Sequence, residues 1–237
     1  INLEFKMLFF LPLLKTGIFL ERKNRFLAEI EWEGKAISVH LANSGRMKEL
    51  LMPGAKVWWH PKETIKTRGR LWMVEKNGSP VVLHAVAANL IFEAAVMQKS
   101  LAALKNCRIV KKEYTHGNSR FDFLLENTVT GKKILAEVKS VNLCINGVGL
   151  FPDAPTLRGK KHLEELESAL KEGYECLVVF AGLRQDIKAF KPYMETDPDF
   201  AQALKKSAQK GVRVLAYGSE WNEEGCVSLF DVPVNLA

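Results

Sequence analysis

Near residue 87 the period of the apolar residues changes, and this one change divides the chain into two differently built units. Before it, short apolar runs are separated by turn residues. "GIFLERKNRFLAEIEWE" (17–33) alternates around Phe26, Ala28, Ile30 and Trp32, and "AISVHLA" (36–42) follows the turn "EGK". A further run starts after Gly54, and "RLWMVEKNGSPVVLHAV" folds back at Asn77-Gly78, a strong hairpin signal. Five or so strands within about eighty residues predict a small closed barrel over 1–86, and the OB-type barrel is the common nucleic-acid-binding form of that architecture. Trp58 and Trp59 are adjacent, so one is expected inside the barrel and the other outside.

After residue 87, "AANLIFEAAVMQKSL" has helical spacing, and "CRIVKKEYTHG", "RFDFLLENT" and "KKILAEVKSV" follow as strands. Leu163, Leu166 and Leu170 form the apolar stripe of a helix that ends at Gly173. "CLVVFAGL" has the continuous apolarity of a buried strand. Asp197-Pro198 opens a second helix in the order cap, then first-turn proline, before the strand "VRVLAYG". Alternating strands and helices predict parallel neighbours with right-handed crossovers. The expected fold class is α/β in the second unit (87–237) and α+β overall, with the two units closely packed because no low-complexity linker separates them.

"MLFFLPLL" (7–14) predicts a buried strand, being too short to cross a bilayer. The charged residues Lys15, Glu21, Arg22 and Lys23 follow it without a small-residue cleavage site, so no secretion signal is expected. "INLEFK" before Met7 fits either a natural extension or an added leader. Cys107, Cys144, Cys176 and Cys226 are far apart without a Cys-x-x-Cys pair, which argues against zinc and disulfides and for a reducing cytoplasm.

The net charge is +7, and residues 1–86 carry a surplus of six positive charges against one in the remainder. A cationic first unit points to a polyanion, with nucleic acid favoured. Arg22, Lys23 and Arg25 flank one expected strand, while Lys62, Lys66, Arg68 and Arg70 crowd a loop. With exposed aromatics they would suit single-stranded or flexible DNA. Ser44, Gly45 and Arg46 in "NSGRM" form either a phosphate-binding turn or a plain structural one. His40, His60 and His84 are isolated and carry no assigned chemistry, and neither a Rossmann glycine fingerprint nor a Walker loop is present.

Three charges interrupt apolar strands: Asp122, Glu137 and Lys139. Glu137 and Lys139 share one strand face and Val138 points away. Two carboxylates a few ångströms apart repel, and a hard divalent cation such as Mg²⁺ or Mn²⁺ would relieve that, with the Val138 carbonyl as a third ligand. Lys139 would then orient water or offset charge on a phosphorus. A buried Asp–Lys–Glu ion network without metal is the competing reading. Arg158, His162 and Glu165 lie at i, i+4 and i+7 on the following helix, which would bring Arg158 and His162 to hold a phosphate.

Asp…Glu-x-Lys on consecutive strands, between helices, resembles the PD-(D/E)XK nuclease core. More specifically, "SRFDFLL", "AEVKSVNL", "FPDAPTLRGKKHLEEL" and "LANSGRMKELLMPGAKVWW" resemble the sugar fermentation stimulation protein family from about residue 8 onward. The resemblance implies an OB-like first domain, a restriction-endonuclease-like second domain, rather non-specific DNA binding and a regulatory link to sugar metabolism. It puts Asp122, Glu137 and Lys139 in the metal and catalytic places with Arg158 and His162 beside them, adds Glu113 as a further acid, and sets Asp153 near the pocket. One departure is that no Pro-Asp pair precedes Phe123, because Asp122 follows Phe121. Three functions are therefore expected: a DNA-binding protein with a Mg²⁺-dependent nuclease-type site, a non-catalytic DNA-binding regulator on the same scaffold, and a metal-dependent hydrolase of small phosphate esters. No membrane partner is expected, and a homodimer is left open.

Overall fold

A computed structural model describes residues 7–236, and "INLEFK" lies outside them. The first strand, β1 (Phe9–Phe10), is far shorter than the run 7–14 predicts, since Pro12 has no N–H to extend a ladder. It pairs antiparallel with the last strand of the chain rather than with the barrel.

The barrel contains β2 (Lys15–Asn24), β3 (Leu27–Trp32), β4 (Lys35–Leu41), β5 (Lys56–Pro61), β6 (Gly69–Lys76) and β7 (Ser79–Val82). The order is β4-β3-β2-β5-β6-β7, and a parallel contact from β4 to β6 closes the first five strands. Closure removes the exposed sheet edges. Alternation fills the interior: Ala28 and Ile30 of β3 are fully buried, with Phe19, Val39, Leu41, Val57 and Trp59 around them. At the β6–β7 hairpin Asn77 and Gly78 both have positive φ (52° and 74°), as a type I′ turn requires. At Gly69 the strands approach so closely that a Cβ would lie 2.3 Å from the His60 carbonyl oxygen.

The second unit opens with α1 (Val86–Met97), followed by β8 (Cys107–His116), β9 (Ser119–Asn127) and β10 (Lys133–Val141). Next come the short strands β11 (Leu143–Ile145) and β12 (Val148–Phe151), then α2 (Leu157–Lys171), β13 (Glu175–Gly182) and β14 (Ala189–Pro192). The chain finishes with α3 (Pro198–Gln209), β15 (Arg213–Trp221) and β16 (Gly225–Asp231). A seven-stranded sheet runs β1-β16-β15-β13-β10-β9-β8, with β10, β13 and β15 parallel as the strand–helix alternation implies. A three-stranded sheet, β11-β12-β14, has no counterpart in the sequence pattern, because its strands are only three or four residues long. α3 starts as expected: the Asp197 carboxylate accepts from Phe200 N at 2.9 Å and Pro198 follows. α1 covers one sheet face through Ile91, Phe92 and Ala95, and α2 and α3 cover the other through Leu163, Leu166, Phe200 and Leu204.

The two units share one apolar core. Trp58, Trp72 and Val82 of the barrel pack with Ala88, Phe92, Tyr217 and Trp221 of the second unit. Trp58 and Trp59 do face opposite ways, across a bulge, but Trp58 is only 4% exposed because the second unit covers that side of the barrel. Its indole N–H donates to Glu223 at 3.1 Å. Among the described residues no helix is long and apolar enough to cross a membrane.

Candidate functional site

The β9–β10 ladder pairs Lys133 with Glu126 through Ala136 with Phe123 and then stops. Beyond that point a side chain continues the pairing: Val138 N–H donates to Asp122 Oδ2 at 2.8 Å, and Asn89 of α1 donates to Asp122 Oδ1 at 2.8 Å. The carboxylate is held at both oxygens. Burial and the nearby Glu137 charge push the Asp122 carboxyl above the ordinary carboxylate range.

Glu137 and Lys139 follow Leu135 onto the α2 side of β10, while Val138 joins the α1-side core. Glu137 is 4% exposed. Its Oε1 accepts from the Lys139 ammonium and from His162 Nδ1, the latter at 2.6 Å. Burial opposes its ionisation, but the His162 hydrogen bond and the Lys139 charge outweigh that and hold the Glu137 carboxyl below its usual range. Arg158 Nε donates to His162 Nε2 at 3.3 Å, which assigns the imidazole proton to Nδ1 and hence to Glu137. Glu137 Oε2 is buried without a hydrogen-bond partner.

These groups open onto a cavity of about 390 Å³ between the two units. Asp122, Glu137, Val138 and Lys139 line one wall, and Asp153 to Thr156 a second. The third comes from the barrel: Arg25, Asn43, Ser44, Gly45 and Met47. Two devices hold this barrel turn. Asn43 accepts from Gly45 N at 2.9 Å and donates to Leu83 O (2.8 Å) and to Asn142 Oδ1 (3.0 Å), while Asp153 accepts from Met47 N at 2.6 Å. From the other side, the Arg22 guanidinium makes five hydrogen bonds to the carbonyls of Asn24, Arg25, Asn43, Gly45 and Arg46.

Several sequence expectations change here. Arg22, expected to bind the polymer backbone, has every donor already engaged by carbonyls, so it organises the turn instead. Arg158 and His162 do not line the cavity: His162 bonds Glu137 Oε1, and Arg158 bonds His162. Glu113 lies on the exposed edge, 3.6 Å from Arg120 and outside the cavity. Asp153 does line it, but with one oxygen bound to the Met47 amide. Ser44 and Arg46 are exposed at the turn. Lys23 pairs with Glu21 and Glu29, and Arg68 with Glu63. Lys62, Lys66 and Arg70 are not at this cavity, and Lys66 and Arg70 line a separate groove on the barrel. Sequence reasoning missed Asn89, Asn43, Asn142 and Arg184. Arg184 is 2% exposed, forks onto Asp186 at 2.6 and 2.8 Å, and donates to the Asn142 carbonyl at 2.7 Å. The only signal for Asn43 and Asn142 was their place within or just after the motifs.

Among the described residues, no three His, Cys, Asp or Glu side chains converge as a ready-made metal cage. The oxygens that are present still suit a hard cation. Glu137 Oε2 lacks a donor, each Asp122 oxygen accepts a single hydrogen bond and keeps a lone pair free, and both residues line one cavity.

The chain matches two family models: the SfsA N-terminal OB domain over residues 20–83 and the sugar fermentation stimulation protein RE domain over residues 86–225. It is 41% identical over 236 residues to the sugar fermentation stimulation protein homolog of Symbiobacterium thermophilum, covering 92% of this chain and 94% of that protein. It is 38% identical over 220 residues to the homolog of Pyrobaculum islandicum, covering 93% and 94%. Among solved structures, SfsA of Pyrococcus furiosus in complex with Ca²⁺ superposes with a TM-score of 0.88 at 30% identity, covering 97% of this chain and 99% of that one. An OB-like barrel joined to a restriction-endonuclease-like α/β unit, matched along nearly its whole length, places this chain in the sugar fermentation stimulation protein family.

Proposed function

We propose that this chain is a DNA-binding protein, largely indifferent to sequence, whose Glu137 cavity is a Mg²⁺-dependent phosphodiesterase site. The observation that carries the proposal is the unpartnered, buried Oε2 of Glu137, in a residue that lines one cavity together with Asp122. Leaving a buried carboxylate oxygen without a donor costs on the order of 1–3 kcal/mol or more, so a ligand that satisfies it is favoured. Asp122, Glu137 and the Val138 carbonyl would hold the cation. When bound, it would supply charge neutralisation at a phosphate oxygen and a more acidic water.

The remaining roles belong to the chain itself. Arg158 fixes the His162 tautomer, and His162 holds Glu137 Oε1 while Oε2 is left without a donor. Lys139 places an ammonium beside the same carboxylate, where it can meet the negative charge of a phosphate. Arg25 in the wall, with Ser44 and Arg46 on the exposed turn, offers donors to the polymer backbone. The surplus of positive charge in residues 1–86 supports a polyanionic partner. That a relative at 30% identity was solved with Ca²⁺ supports a divalent cation in this fold. The four free cysteines suit a reducing cytoplasm.

A second reading is favoured by one observation: Lys139 and His162 both bond Glu137 Oε1, so the chain's own donors satisfy that oxygen. On that reading the scaffold binds DNA without turnover and acts as a regulator, in keeping with the naming of its relatives for sugar fermentation. One assay separates the two. Linear, nicked and single-stranded DNA are incubated with Mg²⁺, Mn²⁺ or chelator and with wild type, Glu137→Gln or Lys139→Ala. Metal-dependent cutting by wild type, lost in both variants while DNA binding persists, is expected. Salt-sensitive binding without cutting selects the regulator. If wild type fails to hold DNA at low salt, both readings fall and a small phosphate ester becomes the substrate to try.

A further inference from the structure

A second groove, of about 840 Å³, lies on the barrel at the seam where β4 and β6 close it. Phe26 and His40 form one side, with ring centroids 6.4 Å apart and planes 23° apart. Phe26 is 47% exposed, and the Arg25 guanidinium lies 5.5 Å from its ring centroid. Arg70 stands across the seam, in register with His40. A tight turn in which Thr64 accepts from Thr67 N at 3.0 Å presents Ile65, fully exposed, and Lys66. Among the described residues no carboxylate lines the groove, and Glu63, at its margin, is occupied by Arg68. Arg25, Lys66 and Arg70 have no ion pair among the described residues.

A half-exposed aromatic ring beside cations without ion pairs matches a chain that carries flat apolar rings on a polyanionic backbone. Bases in a duplex already stack on one another and cannot present their faces to Phe26, so the groove selects unpaired DNA. The turn between β2 and β3 links this groove to the site described above: Asn24 and Phe26 line the groove, and Arg25 between them lines the Glu137 cavity. Resting on the proposed function, we infer that Phe26 and His40 are a stacking platform for unpaired DNA bases, and that the Asn24–Phe26 turn carries the strand from this groove to the Glu137 cavity.

The test is fluorescence anisotropy with a labelled oligothymidine and a duplex of equal length, in chelator so that nothing is cut. Phe26→Ala is expected to weaken single-strand binding about tenfold, with duplex binding changed less than about twofold and the salt slope unchanged. Phe26→Trp restores it. Lys66→Ala lowers the salt slope for the oligothymidine by about one. Thermal melting confirms that Phe26→Ala, at a half-exposed position, folds as wild type. The inference is overturned if Phe26→Ala binds oligothymidine as tightly as wild type, if it loses both DNA forms equally, or if wild type does not bind oligothymidine at low salt. The two proposals fail separately. Stacking through Phe26 without any cutting by wild type removes the nuclease reading and leaves the groove. Cutting of single strands at an unchanged KM in Phe26→Ala removes the groove and leaves the nuclease.

Discussion

His84, at the junction between β7 and α1, makes the stability of this protein sensitive to mild acid. Its ring stacks on Trp72 with centroids 4.3 Å apart and planes 19° apart, and both ring nitrogens are buried without a hydrogen-bond partner. Burial, with smaller contributions from the charges of Arg70 and His40, lowers its pKa from 6.5 to about 4. For a base with a depressed folded pKa, the unfolded chain takes up the proton first. Stability is therefore complete above pH 6.5 and drains away as pH falls toward 4. Each pH unit between the two values is worth about 1.36 kcal/mol, and only part of that interval has been crossed by pH 5, so the loss from pH 7 to pH 5 comes to about 2 kcal/mol. In a chain of this size that is about 4–8 °C in Tm. His84→Phe keeps the stacked ring and removes the proton. Urea unfolding of both proteins at pH 7 and pH 5, followed by tryptophan fluorescence, isolates the effect, because every other titrating group is common to the two. Wild type should lose about 2 kcal/mol more than His84→Phe over this interval. Equal losses would show that the ring is hydrated or partnered in solution, and the reasoning would be refuted.

Three further outcomes are expected. Arg22→Lys cannot reproduce a planar fork on five carbonyls, so the Asn43–Met47 turn should exchange its amide hydrogens faster and the protein lose about 2 kcal/mol. Unchanged hydrogen exchange across that turn would contradict the role given to Arg22. Asp197→Ala removes the cap of α3 and the acceptor for Thr156 N at 2.8 Å, and should cost about 1–2 kcal/mol in denaturant unfolding. Gly69→Ala places a methyl group 2.3 Å from a backbone oxygen where the barrel closes, which should cost more than about 3 kcal/mol and lower the yield of folded protein, as circular dichroism and melting would show.

Local chemistry makes much of this molecule readable from short stretches of its sequence. The Asn77-Gly78 hairpin, the Asp197-Pro198 helix start, the parallel strands around the helices and the shared face of Glu137 and Lys139 all depend on a few neighbouring residues, so short patterns suffice to predict them. The pairing of Asp122 with β10 was also foreseeable, because hairpin strands bring nearby residues together.

What the sequence alone determined was the two fold classes, the family and the pairing of Asp122 and Glu137, which line one cavity. Tertiary structure decided what those residues can reach. The segment at Phe9–Phe10 joins a sheet edge more than two hundred residues away in the chain, at Gly225 and Cys226. Trp58 is covered because a second unit docks on its face, Arg22 is bound up in carbonyls of a turn some twenty residues on, and Glu113 falls outside the cavity. Asn43 and Asn142, ninety-nine positions apart, meet at 3.0 Å to join the barrel to the site. Periodicity reports which side of an element is apolar. It carries no information about which distant polar groups that side will meet, because those contacts are set by how the completed units pack.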